Sequence, residues 1–78
     1  MQTYKIYIVD KQGEHGSYSA DGKSRIDAIK NYSKHKEKCS FYWKHTDNWK
    51  SLGCKIGYPN DARFYQNDRN EKLLIMLG

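Results

Sequence analysis

A chain of 78 residues has room for one domain and one core, near the size at which a single core is barely sufficient. A hydrophobic fraction of 37% is low, but 14% aromatics argue against disorder, because each such ring buries a large area. The net charge of +5 is concentrated: residues 23–55 carry nine of the 14 cations against three of the nine carboxylates, a polarity suited to a polyanion or an acidic protein surface and opposite to that of a DNA mimic.

Residues 4–9 have the β-branched and aromatic content of a strand, and Asp10-Lys11-Gln12-Gly13 reads as a type I turn with Gly13 in the left-handed position of a bulge. If Asp10 faces Glu14, then Ile6 faces Tyr18 and Tyr4 faces Ala20. Tyr4, Ile6, Ile8, Tyr18 and Ala20 then share one face, and Lys5, Ser17 and Ser19 the other. Asp21-Gly22 turns the chain into a helix expected over residues 24–39, whose start is marked by Ser24 followed three residues later by Asp27. Ile26, Ala28, Ile29, Tyr32 and Cys39 form its core side, while Lys30, Lys34 and Lys38 recur every fourth residue on the other.

Residues 41–45 alternate as a strand would, and Thr46 or Asp47 is placed to cap a short helical turn through Trp49 and Leu52 that Gly53 closes. Residues 54–58 read as a further strand. Pro59-Asn60-Asp61 is a turn, and Phe64-Tyr65 opens a hairpin that turns near residues 67–70. Residues 72–77, apolar without alternation, predict a central strand buried on both faces. The expected class is therefore α+β: a single domain over residues 1–78, in the order β-β-α-β-β-β, with an antiparallel sheet and one main helix packed on one face.

Apolar runs at residues 6–9 and 73–77 are too short for a secretion signal or a membrane span, so a cytoplasmic protein without a membrane partner is expected. Cys39 and Cys54 are then expected as free, partly buried thiols, a bridge between them being open only in an oxidising setting.

Chemical motifs are scarce, and no catalytic residue, metal or cofactor is expected. His35, Cys39, His45 and Cys54 have the donor types of a zinc site, yet no Cys-x-x-Cys or His-x-x-x-His pair, and Cys39 has an ordinary place on the apolar side of the helix. There is no nucleophile elbow and no phosphate-cradling glycine loop. A metal-free, toxin-like ribonuclease needs little more than a histidine and lysines, which leaves His15, His35 and His45 as its candidates against the ordinary structural role of a lone histidine.

Binding is better supported than catalysis. Lys23, Lys30, Lys34 and Lys38 make a stripe able to follow phosphates, with Lys44 and Lys50 interleaved among Tyr42, Trp43 and Trp49 nearby. Lysine without arginine favours phosphate contact over base-specific readout. The primary expectation is a small non-enzymatic basic module that engages nucleic acid or a nucleoprotein. The alternative, drawn from size and residue usage alone, is a phage or mobile-element inhibitor of the anti-CRISPR or anti-restriction type. It would dock on an acidic groove of a host protein through Tyr7, Tyr42, Trp49, Tyr58 and Tyr65. A solvated lysine face and core tryptophans are the bland reading of the same residues.

Overall fold

The computed structural model describes residues 1–36 and 47–78. In chain order these form β1 (Gln2–Asp10), β2 (Gly13–Gly22), α1 (Arg25–Lys36), β3 (Trp49–Gly53), β4 (Arg63–Asn67) and β5 (Lys72–Leu77). The strands make one antiparallel sheet in the order β2-β1-β5-β4-β3. The class is α+β, as expected, and β5 is the middle strand.

The position of β5 follows from its composition. Leu73 and Ile75 enter the core under α1 while Leu74 enters a second cluster on the opposite face, and all three are buried. A strand with apolar side chains on both sides cannot sit at an edge without exposing one of them. It pairs with β1 through Ile6↔Ile75 and with β4 through Phe64↔Leu74. Beyond the strand, Gly78 donates its N–H to the Thr3 carbonyl at 3.0 Å, so the two ends of the sequence lie side by side.

The first hairpin keeps the expected facing of Ile6 with Tyr18 and Tyr4 with Ala20, but its turn differs by one residue. Asp10 faces Gly13, not Glu14, and Val9 faces Glu14. The extra residue of β2 is taken up further along, where Gly16 and Ser17 together oppose Tyr7. Gly16 has φ 74°, and a Cβ on it would come within 2.7 Å of the Tyr18 ring, so glycine suits the bulge there. Gly13 has the expected left-handed backbone, at φ 106°, and a turn with a left-handed residue recurs in the second hairpin. Asn70 donates to the Asn67 carbonyl at 3.1 Å and has φ 63°. Buried Asn67 locks that turn: its Oδ1 accepts the N–H groups of Arg69 and Glu71, and its Nδ2 donates to the Glu71 carboxylate at 2.8 Å.

Helix α1 starts as its sequence predicts. Ser24 Oγ accepts the Asp27 N–H at 3.2 Å, and Asp27 in return accepts the Lys23 N–H at 2.8 Å. The return bond thus reaches one residue further back than in a standard capping box. Ala28, Ile29 and Tyr32 are buried against Tyr4, Ile6, Leu73 and Ile75, with Ile26 at the margin. Ser33 shares that side and satisfies its hydroxyl on the Ile29 carbonyl at 2.8 Å. Close approach of helix to sheet depends on Gly22, where a Cβ would sit 2.4 Å from the Ala28 backbone nitrogen.

Two expectations in the second half are corrected. Trp49 to Gly53 is an edge strand and not a capped helical turn, because its backbone pairs with β4 through Trp49↔Asn67, Lys50↔Gln66 and Ser51↔Tyr65 while Trp49 packs at the margin of the core. Residues 54–58 are loop and turn and not a strand. Gly57 at φ 96° reverses the chain, with the Tyr58 N–H directed at the Lys55 carbonyl. The following Pro59 turn forms as expected, the Ala62 N–H reaching the Pro59 carbonyl at 3.0 Å. This loop folds back over the second sheet face, where Tyr58 meets Phe64 edge-on at 5.3 Å. The strand expected at residues 41–45, and Cys39 on the helix, lie outside the described residues. Cys54 is free, as expected, but exposed, because the strand that would have half-buried it does not form.

Loss of any β5 contact should be felt across the sheet. Ile75→Ala is expected to lower stability by about 2–5 kcal/mol, against roughly 0.5 kcal/mol or less for Leu52→Ala, both by urea denaturation. A chain lacking Lys72–Leu77 should show no cooperative transition at all. Gly22→Ala should also destabilise, with Ala28 pushed off the sheet.

Candidate nucleic-acid interface

The helix burial fixes where its lysines stand. With Ala28, Ile29, Tyr32 and Ser33 turned to the sheet, the 100° step per residue sends Lys30 and Lys34 outward, and both are exposed. They are separated by about 6 Å of helical rise. Lys23, just before the Ser24 cap, is exposed as well. Asp27, a carboxylate of the same helix, accepts the Lys23 backbone N–H. Among the described residues the ion pairs belong to Arg69, with Asp47 at 2.6 Å and Glu71 at 3.0 Å, and none involves these lysines.

The remaining members of the sequence-derived set are not all brought to this surface. Lys38 and Lys44 lie outside the described residues. Lys50 is exposed but belongs to the other side of the molecule, since its neighbour Trp49 packs into the core under α1 and successive strand residues point to opposite faces. Arg25 is committed: its guanidinium donates twice to the Asp61 carbonyl, at 2.8 and 3.2 Å, tying the helix start to the loop before β4. Asp61 is a tie point in its own right, because its carboxylate accepts the Leu77 N–H at the end of β5.

The candidate docking aromatics are largely occupied inside the protein. Trp49 and Tyr65 pack at the margin of the core under α1, and Tyr7 and Tyr58 pack against the cluster of Ala62, Phe64 and Leu74. All four are half-buried. Tyr42 lies outside the described residues. The large apolar side chains that do reach solvent among the described residues of the second half are Leu52, Ile56 and Leu77, the first two of which sequence reading placed in a helical turn and a strand. Ile56 projects from the tip of the Lys55–Tyr58 turn, and the usable signal was Gly57, in the position of a turn that demands positive φ.

Among the described residues no group of three His, Cys, Asp or Glu side chains is placed to hold a metal ion. Of the zinc set, Cys39, His45 and the His35 side chain lie outside the described residues, as does the His15 side chain among the ribonuclease candidates. No described helix is long and apolar enough to cross a membrane.

The Tyr58 hydroxyl titrates away from its ordinary range. Tyr58 donates its hydroxyl to the Glu14 carboxylate, which favours the protonated phenol; desolvation and the negative charge of Glu14 act in the same direction, and its pKa is raised. The folded protein therefore holds this proton more tightly than the unfolded chain. The contribution to stability is complete below the ordinary tyrosine pKa of about 10 and is lost as pH rises through the higher folded value. Ultraviolet titration of the seven tyrosines should show a component above the usual range that disappears in Glu14→Gln.

Comparison with protein-family models, with curated proteins and with solved structures gives no match to this chain.

Proposed function

We propose that this protein is a non-enzymatic binding module that contacts the phosphates of a nucleic acid, or of a nucleoprotein, through the exposed outer face of α1. The observation that carries this reading is the set of Lys23, Lys30 and Lys34: all exposed, none in an ion pair among the described residues, with the adjacent carboxylate of Asp27 engaged in the helix cap. Unpaired ammonium groups on a helix face release counterions on meeting a polyanion, and the gain is electrostatic and indifferent to sequence. The two-residue core of the stripe is short, so the expected contact is with one or two phosphates per helix face.

Docking on a host protein through aromatic anchors has less support, because Tyr7, Trp49, Tyr58 and Tyr65 are packed within the fold. A partner protein would have to find Met1, Leu52, Ile56 or Leu77 instead.

The test is a salt titration of binding to labelled single-stranded RNA, single-stranded DNA and duplex DNA, with Lys30→Glu/Lys34→Glu beside the parent. Binding should fall with salt, and the variant should bind at least about tenfold more weakly, with a log–log salt slope lower by about 1.5–2. A folded parent that binds no nucleic acid at low salt would refute the reading.

A further inference from the structure

The sheet face opposite α1 carries a second set of cations that the helix reading does not use. Side-chain alternation assigns Lys5 of β1, Lys72 of β5 and Lys50 of β3 to this face, and Lys55 joins them from the 54–62 loop, its ammonium 4.9 Å from the centre of the Phe64 ring. All four are exposed, and none makes an ion pair among the described residues. The apolar middle of the face is closed: Tyr7, Val9 and Met76 pack with Phe64 and Leu74 beneath that loop, whose Tyr58 reaches across to Glu14. Charge at the rim is therefore what this face offers a partner. Its carboxylates on β2, Glu14 and Asp21, each accept a hydroxyl, from Tyr58 and from Thr3.

The two cationic faces stand back to back. Strands of up to ten residues, laid five abreast, fill the two longer dimensions of a molecule measuring 34 × 31 × 20 Å, so the shortest is the thickness through helix and sheet. On the helix side Lys30 and Lys34 follow the axis of α1, with Lys23 just before it. On the sheet side Lys72 and Lys50 flank Gln66, roughly 10 Å apart across two strand spacings, and Lys5 lies opposite Met76, roughly 13 Å along β5 from Lys72. Polyanions seated on the two sides are kept apart by the 20 Å of protein, more than twice the Debye length of about 8 Å at physiological ionic strength, so screening removes most of their mutual repulsion.

We propose that this protein bridges two segments of duplex nucleic acid, one held through its phosphates on the helix face and the other on Lys5, Lys50, Lys55 and Lys72. The inference rests on the helix reading for one of its two contacts; it adds a second contact and a function, cross-linking. Ammonium groups on both sides select phosphates and no particular base, and a duplex presents phosphate charge most densely, one for about every 1.7 Å of axis. A duplex is also too stiff to serve both sides by itself. With a persistence length of about 150 base pairs, it is not folded back around 20 Å of protein by a few lysines, so the opposed faces take separate segments.

The experiment is a capture assay in which a bead-bound DNA duplex retains a second, fluorescent duplex only through the protein. It is run on the parent, Lys5→Gln/Lys72→Gln and Lys30→Gln/Lys34→Gln, each checked for cooperative unfolding and each at a concentration giving the same anisotropy with a single labelled duplex. The parent should retain the fluorescent duplex over a middle range of protein concentration and release it in excess, where every duplex carries its own protein. Each variant, left with one intact cationic face, should still bind a single duplex but retain the second at least about tenfold less. A parent that binds duplex without retaining a second one would overturn bridging and leave the helix reading standing. Retention by the sheet-face variant equal to the parent's, or loss of all duplex binding in the helix-face variant, would do the same. A parent that binds no duplex would remove both.

Discussion

The pairing of β1 with β5 is the contact on which the rest of this structure depends. It joins residues from opposite ends of the sequence, Ile6 with Ile75, and creates in one step both cores. On one side, Tyr4, Ile6, Leu73 and Ile75 make the surface that α1 covers; on the other, Leu74 and Met76 join Tyr7 and Val9 as the floor beneath the 54–62 loop. Neither hairpin has a complete core alone. Each supplies half of a face that becomes buried only when β1 and β5 meet, so local turn chemistry prepares the pieces and a long-range contact makes them stable. Closing so large a loop costs entropy before any burial offsets it, which places this chain among the slower folders of its size.

Asp61 and Arg25 couple the two layers that this pairing creates. Arg25 opens the helix, and its guanidinium reaches the Asp61 carbonyl, while the Asp61 carboxylate holds the end of β5. The helix start, the entrance to β4 and the exit of β5 are thereby fixed at one end of the sheet. At the opposite end, the Asn67 amide accepts from Arg69 and Glu71 within the second hairpin and donates to the carboxylates of Glu71 and, from before β3, Asp47. The polar groups that are buried thus secure turns and junctions, and the lysines are left at the surface on both sides. A basic protein of this size avoids the cost of self-repulsion by that separation: its cations are spread over two faces instead of gathered on one.

The elements most legible in the sequence were those whose signal is local. Ser24 with Asp27 announced the helix start, Pro59 and the 67–70 cluster announced turns, and the unbroken apolar run of β5 announced a strand covered on both sides. The register of β1 against β2 was legible from alternation because a slip would have exposed Ile6. The bulge at Gly16 was not, since a glycine between Glu-His and Ser-Tyr gives no local preference for one bulge position over another, and the clash that explains it comes from the Tyr18 ring. The segment from Trp49 to Tyr58 misled because its aromatic and capping residues fit a helical turn equally well, whereas pairing with β4 decided its conformation. The candidate site was legible in part for the same reason. Helical spacing found Lys30 and Lys34, but no spacing rule links Lys5, Lys50, Lys55 and Lys72, which only the sheet order brings to one face.

The hydrogen bond from Gly78 to Thr3 has an architectural consequence. Because β1 and β5 run antiparallel as neighbours, the chain enters and leaves the domain at one point, with the two strands side by side. Such a unit is spliced into a surface loop of a host protein, or repeated in tandem through short joints, without drawing its own sheet apart. In either setting Lys5, whose stem lies beside Gly78, stands at the junction, so the flanking chain passes next to that lysine.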